Sequence, residues 1–194
     1  KDEAREVALS HDEQEELRAV FTSQLPKEDG MFLVNFEAMG ENGDPVIVTR
    51  SEFMRRMKEM AAMNPGMGFY GAMGDQYTLV VNTDHILENE KKEMNGKLEP
   101  INFEIKETEK KKAELDELNK GKKDEEIPQV DKDRKSEYDK TISDLNKQKN
   151  SLLEEYGKGN KIVGQLIDLA LLANGLLKGE ALNRFVKRSV ELIK

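Results

Sequence analysis

Apolar residues change their period several times along this chain, and each change predicts a different element. Ser10 and Glu13 stand at capping-box spacing, and Leu17, Val20, Phe21 and Gln24 or Leu25 then recur at the helical interval. A helix from about His11 to Leu25 is predicted, ended by Pro26. The period then falls to two at Phe32, Val34 and Phe36. An Asn-Gly turn within Gly40 to Asp44 and an extended Pro45 to Thr49 complete a predicted β-hairpin. Thr49 with Glu52, or Ser51 alone, caps a helix running to about Met63, where Asn64-Pro65-Gly66 stops it. Tyr77 to Asn82 reads as a third strand, and Asp84 as the cap of a short helix through Ile86, Leu87 and Met94.

From about Glu88 to Lys158 lysine and glutamate dominate, and the apolar positions thin to single rows. Ile101, Ile105, Thr108, Lys112 and Leu115 step by four and three, as do Tyr138, Ile142, Leu145, Lys149, Leu152 and Tyr156. Gly121 and Pro128 interrupt both rows, so an antiparallel coiled-coil hairpin folded about Ile127 is predicted. After Gly159 the pattern reverses. Ile162, Val163, Leu166, Ile167, Leu169, Ala170, Leu171 and Leu172 are apolar almost all round, which calls for burial on all sides, and a last helix carries Leu182, Phe185, Val186, Val190, Leu192 and Ile193. The fold class expected is α+β: a small three-stranded sheet with helices packed on it, a charged hairpin insertion over 97–158, and a C-terminal helical hairpin. Residues 1–96 and 159–194 then form one domain.

Composition narrows the partners. Of the 194 residues 37% are hydrophobic and 36% charged, so much of the chain stays solvated, as a modest core with a long polar excursion would. The net charge of −8, with lysines interleaved among glutamates, disfavours nucleic acid. No cysteine is present, which suits a reducing cytoplasm and excludes disulfides and thiolate chemistry. No apolar run is long enough to cross a bilayer. The chain opens on Lys1, from which a piece of a longer protein is expected.

Catalytic signals are weak. Gly66, Gly68 and Gly71 satisfy the spacing of a dinucleotide-binding loop, but they follow a helix and precede a strand, the reverse of the order that would seat a pyrophosphate on a helix N-terminus. His11 and His85 stand at predicted helix starts without metal-ligand or triad partners at suitable spacing. The carboxylates lie on charged helical faces. No catalytic, cofactor or metal site is expected. Methionines are more informative: Phe53, Met54, Met57, Met60, Ala61 and Met63 crowd one short helix, followed by Met67, Phe69, Tyr70 and Met73 among glycines. Such a stripe either fills core or forms an adaptable binding surface, with Arg55, Arg56 and Lys58 as a basic edge attractive to acidic partners.

Four segments, "LSHDEQEELRAVFTSQLP", "SEFMRRMKEM", "LVVNTDH" and "LALLANGLLKGEALNRFVKRSVELI", follow one another as similar segments do in the C-terminal dimerisation domain of bacterial heat shock protein 90 chaperones, which this chain resembles over Leu9–His85 and Ile162–Ile193. The resemblance implies a homodimer that contacts non-native client proteins within an ATP-dependent chaperone assisting folding under stress. It also implies no enzyme activity here, with ATP and Mg bound in a separate N-terminal domain of the parent. The amphipathic helix at Phe53–Met63 corresponds to the client-contacting helix, with Met57 and Met60 nearest the matching apolar positions. The dimer interface expected is a four-helix bundle drawing on Leu166, Leu169, Leu172, Leu182, Phe185, Val186, Val190 and Ile193, with Leu171 counted in the apolar surplus of the two helices. Leu169, Leu172, Phe185 and Ile193 are placed nearest the two-fold axis. The resemblance assigns the charged insert no role. An adaptor using that hairpin as a docking arm is the alternative; a nucleotide-dependent enzyme built on Gly66–Gly71 is the weaker rival.

Overall fold

The computed structural model describes residues 7–26, 31–63, 75–85 and 88–193, which divide into two compact units: residues 1–87 with 156–194, and residues 88–155. In the first unit α1 (His11–Thr22) starts as its sequence dictates. The Ser10 backbone N–H donates to Glu13 Oε2 at 2.8 Å and the Glu13 N–H to Ser10 Oγ at 3.3 Å, so two donors left over at the helix start are satisfied reciprocally. The helix closes three residues before the expected Leu25, in a tight turn where Leu25 N–H donates to Thr22 O, yet Leu25 stays buried beside Leu17, Val20 and Phe21.

Strands β1 (Met31–Glu37), β2 (Val46–Arg50) and β3 (Gln76–Asn82) form one sheet in the order β1-β3-β2. This corrects the predicted hairpin: β1 and β2 are not neighbours. β3 enters between them, parallel to β1 and antiparallel to β2. Burial gives the reason, because Leu79, Val80 and Val81 are consecutive and all buried, and a strand buried on both faces belongs at the centre of a sheet. The connection between β1 and β2 wraps the end of β3 instead. Asn82, fully buried, donates from Nδ2 to Gly40 O at 2.9 Å and accepts at Oδ1 from Met39 N and Asp84 N, both at 3.1 Å. Gly40 holds a φ of 80°, and a Cβ at Gly43 would meet Met39 O at 2.9 Å, so the knot needs both glycines. Asp84 is drawn into it as well: its Oδ2 accepts from Gly40 N at 2.6 Å, where the sequence suggested a helix cap. Ile86 and Leu87 lie outside the described residues, and Met94 belongs to the long helix of the second unit.

Val34, Leu79 and Val48 are in register on one face of the sheet. Helix α1 packs on β1, and α5 (Lys161–Ala173) packs on β2 and on α1. Asn160 caps α5 by accepting from Ile162 N and Val163 N at 3.0 Å. A Schellman turn ends it, with Leu176 N–H on Leu171 O and Gly175, at φ 67°, on Leu172 O. Helix α6 (Gly179–Ile193) then returns against α5.

The second unit is a helical hairpin. Helix α3 (Glu88–Leu118) absorbs both the short helix and the first heptad row predicted as separate elements, with Pro100 exposed inside it. Helix α4 (Gln129–Gly159) follows a connection with Gly121 at φ 83° and a 3-10 turn at Asp124–Glu126; its last turn, from Tyr156, belongs to the first unit. Lys112 pairs with Asp139, Asp116 with Lys135 and Asn119 with Asp131, an order that rises along α3 as it falls along α4 and so fixes the antiparallel arrangement. The seam on α3 extends back through Leu98 and Met94, both buried. On α4 it departs from the predicted row. Leu153 is 2% exposed and Leu152 41%, so the seam steps by four from Leu145 to Lys149 and again to Leu153. An α-helix turns once in about 3.6 residues, and a row stepping at 3.5 drifts until the next residue takes the place.

Candidate interaction surfaces

Helix α2 (Glu52–Met63) carries methionines at every third position: 54, 57, 60 and 63. Three residues advance an α-helix by about 300°, so each methionine lies ~60° round from the last and the stripe spirals across the helix. Exposure follows the spiral. Met54 and Met57 are half-buried, Met60 is 48% exposed and Met63 87%, with Phe53 between Met57 and Met60 on the helical wheel at 67%. One edge of the stripe is thus held by the domain while the other stands in water. Ala61, counted with the stripe from sequence, is 8% exposed and belongs to the held edge, so it offers a partner nothing.

Two of the three cations expected to form a basic edge beside the stripe, Arg55 and Arg56, are paired within their own helix. Arg55 makes a two-pronged contact to Glu52, Nη2 to Oε1 at 2.7 Å and Nε to Oε2 at 2.9 Å, and also reaches Glu59 through Nη1. Arg56 Nε adds a 3.0 Å bond to Glu52. Glu52, first residue of the helix, is held down to about 2 by its hydrogen bonds from Arg55 and then Arg56. Both arginines are thus tied to carboxylates of their own helix. The side chain of Lys58, Met67, Phe69, Tyr70, Met73 and the Gly66-Gly68-Gly71 pattern lie outside the described residues.

Helix α5 has two apolar faces. Val163, Ile167, Ala170 and Leu171 are buried on one, so Leu171, counted from sequence in the apolar surplus of the two helices, belongs to the core of its own chain. Ile162, Leu166, Leu169 and Leu172 step by four, three and three along the other; Leu166 is half-buried and the rest are exposed, Leu169 at 51%. Helix α6 has no buried residue at all. Leu182 and Phe185 are half-buried, while Val186, Val190 and Ile193 line a further exposed stripe, Ile193 at 85%. Ile162 completes the α5 row, a place its spacing signalled although composition drew attention to the leucines.

Polar groups join these two helices, which leaves their apolar stripes unused. Arg188 donates from Nε to Gln165 Oε1 at 2.9 Å, from Nη2 to Gly164 O at 3.0 Å, and also to Asp168. Gln165 Nε2 meets Ser189 Oγ at 2.5 Å, and Lys161 pairs with Glu191 at 3.1 Å, lowering the Glu191 carboxyl below its ordinary range. Beside this network Gln24 donates from Nε2 to Gly157 O at 2.6 Å and to Asn160 O at 3.1 Å. Gly157 permits that approach: a Cβ there would lie 2.6 Å from Val20 O. Nothing in the local sequence announces this contact, because its partners are more than a hundred residues away.

His11 and His85 are both exposed, and among the described residues no three His, Cys, Asp or Glu side chains are grouped to hold a metal ion. Nor, among them, is any helix long and apolar enough to cross a membrane. The chaperone protein HtpG of Bacteroides fragilis is 49% identical to this chain over 199 aligned residues, that of Bacteroides thetaiotaomicron 45% over 199, and that of Porphyromonas gingivalis 42% over 203. Each alignment takes in 100% of the chain, the α3–α4 hairpin included, and 29% of the relative, so the chain spans about 29% of the length of the curated relatives it matches. No family model and no solved structure matches the chain.

Proposed function

We propose that this chain, homologous along its whole length to a segment of the HtpG chaperones of the heat shock protein 90 family, is the part through which such a chaperone dimerises and touches its clients. The observation that carries the reading is the uncovered pair of stripes on α5 and α6. A helix with no buried residue and an apolar row along its length leaves that row in water in an isolated protomer, and a second copy supplies the missing cover. Two α5–α6 hairpins brought together by a two-fold axis make a four-helix bundle in which each apolar row meets its counterpart. Polar clasps at Arg188 and Gln165 set the angle within each hairpin, so the rows are presented ready made.

Client contact falls to the outer edge of the α2 stripe, Phe53, Met60 and Met63, with Met57 at its margin. Thioethers on an unbranched side chain adapt to varied apolar segments, which suits a surface meeting many unfolded sequences. The ATP and Mg chemistry of the parent chaperone belongs to another domain, and this chain has no catalytic task. Light scattering on the 194-residue chain tests the central point. The expected mass is about 44 kDa, twice the chain's 22.1 kDa, and a persistent monomer at micromolar concentration overturns the reading.

A further inference from the structure

We propose that the methionine stripe of α2 is an oxidation-responsive modification site, at which sulfoxide formation on Met60 and Met63 switches off client contact without unfolding the chain. The inference rests on the client reading above and adds its regulation. Three features of the helix converge on it. Every third residue from 54 to 63 is methionine, so the apolar character of the stripe resides largely in thioethers. The spiral sorts them by access, with Met63 and Met60 in solvent and Met57 and Met54 half-buried. The exposed pair stands outside the core, so its chemistry leaves the packed residues untouched, whereas Met94, 1% exposed, shows the protected state within the same chain.

The reaction needs a peroxide or hypohalous acid as oxidant. The thioether sulfur attacks the terminal peroxide oxygen, the O–O bond breaks, an S=O bond forms, and the second oxygen leaves as water; sulfur is oxidised by two electrons and the peroxide reduced by two. The product is a polar, chiral sulfoxide in place of an adaptable apolar chain. A client segment that covered the thioether must then cover an S=O dipole without a partner, which weakens binding by about tenfold or more. Methionine sulfoxide reductases act on exposed sulfoxides, so the exposed positions are also the ones from which the change is reversible.

The test treats the 194-residue chain with graded hydrogen peroxide, maps each methionine by peptide mass, and measures binding of a fluorescently labelled, reduced and carboxymethylated polypeptide. Met63 and Met60 gain oxygen before Met54 and Met57, Met94 comes last, the melting temperature holds, and probe affinity falls by about tenfold as Met60 and Met63 react, whether or not the exposed Met31 has done so. Reductase treatment restores it. The Met60→Leu, Met63→Leu variant, measured against its own untreated affinity, loses none of it through the same treatment. Unchanged affinity with both sites fully converted overturns the switch alone. Equal loss in the leucine variant places the sensitive residue elsewhere and also overturns it. Untreated chain that fails to bind the probe overturns the client reading, and the switch with it.

Discussion

Replacing Leu169 and Val190 with glutamate tests the dimer at two exposed positions, one on each helix. Both side chains are about half exposed in the single chain, at 51% and 50%, and neither belongs to the intramolecular core, so the double substitution leaves the protomer's packing intact. That separates loss of association from loss of fold, which a change at a half-buried residue such as Phe185 does not. In a two-fold dimer each substitution occurs twice, giving four sites. Every site forfeits the remaining burial of its side chain, about 1 kcal/mol, and places a carboxylate where it must be desolvated without a partner or protonated. Even at a minimum of about 1.4 kcal/mol a site, association weakens by at least ~10⁴-fold. Sedimentation velocity then reads a 22.1 kDa species where the parent chain reads twice that, with the helical circular dichroism unchanged. A double variant that sediments as an unaltered dimer refutes the interface, and the copies then associate elsewhere.

Three further expectations bear on the fold that presents these surfaces. Gly157→Ala forces Val20 and Ser23 away from α4 and is expected to cost about 1–3 kcal/mol, measured as a fall in the denaturant midpoint; Gly159→Ala, with nothing within 4 Å of the new Cβ, serves as the control. Glu52 has its carboxyl lowered from 4.5 to about 2, so its ion pairs with Arg55 and Arg56 contribute fully above about pH 4.5 and are lost as pH falls through about 2. The helicity difference between the chain and its Glu52→Gln variant should therefore be constant near neutrality and vanish in that acid window. Excising 88–155 with a short glycine-serine joint is expected to leave one cooperative unfolding transition, whereas excising 97–158 removes Gly157 and the carbonyl that Gln24 holds and broadens it.

Most of the elements were legible because period alone decides between helix and strand, and the α2, α5 and α6 patterns left little room for another reading. Sheet order was not legible. Alternation tells which residues share a face but not which strand lies beside which, and the Asn-Gly turn between β1 and β2 pointed to a neighbourhood that β3 occupies. The clue was present in Leu79, Val80 and Val81, whose unbroken run marks a strand covered on both sides, and it outweighed the turn. The α4 seam failed for a related reason: Leu152 and Leu153 are adjacent and identical, so only the drift of the helix chooses between them. Gly157, Gln24 and Asn82 act through partners remote in sequence, where no local pattern points.

The interaction surfaces show the same division between direction and partner. Apolar character all round α5 calls for cover on every side, and the sheet, α1 and α6 provide it on one face while the row from Ile162 to Leu172 stays in solvent. Apolar rows that stay uncovered in an ordered helix are a debt that the single chain does not settle. On α5 and α6 the rows are regular, made of branched residues with few rotamers, and held at a fixed angle by the Arg188 network, properties that suit one constant partner of the same shape. On α2 the stripe is unbranched, spiralling and only half supported, properties that suit partners of many shapes. On the proposed reading, leucine and valine at one surface suit a permanent contact and methionine at the other suits transient ones. If dimer affinity instead followed peroxide treatment while probe binding followed the Leu169→Glu, Val190→Glu change, that assignment would be reversed.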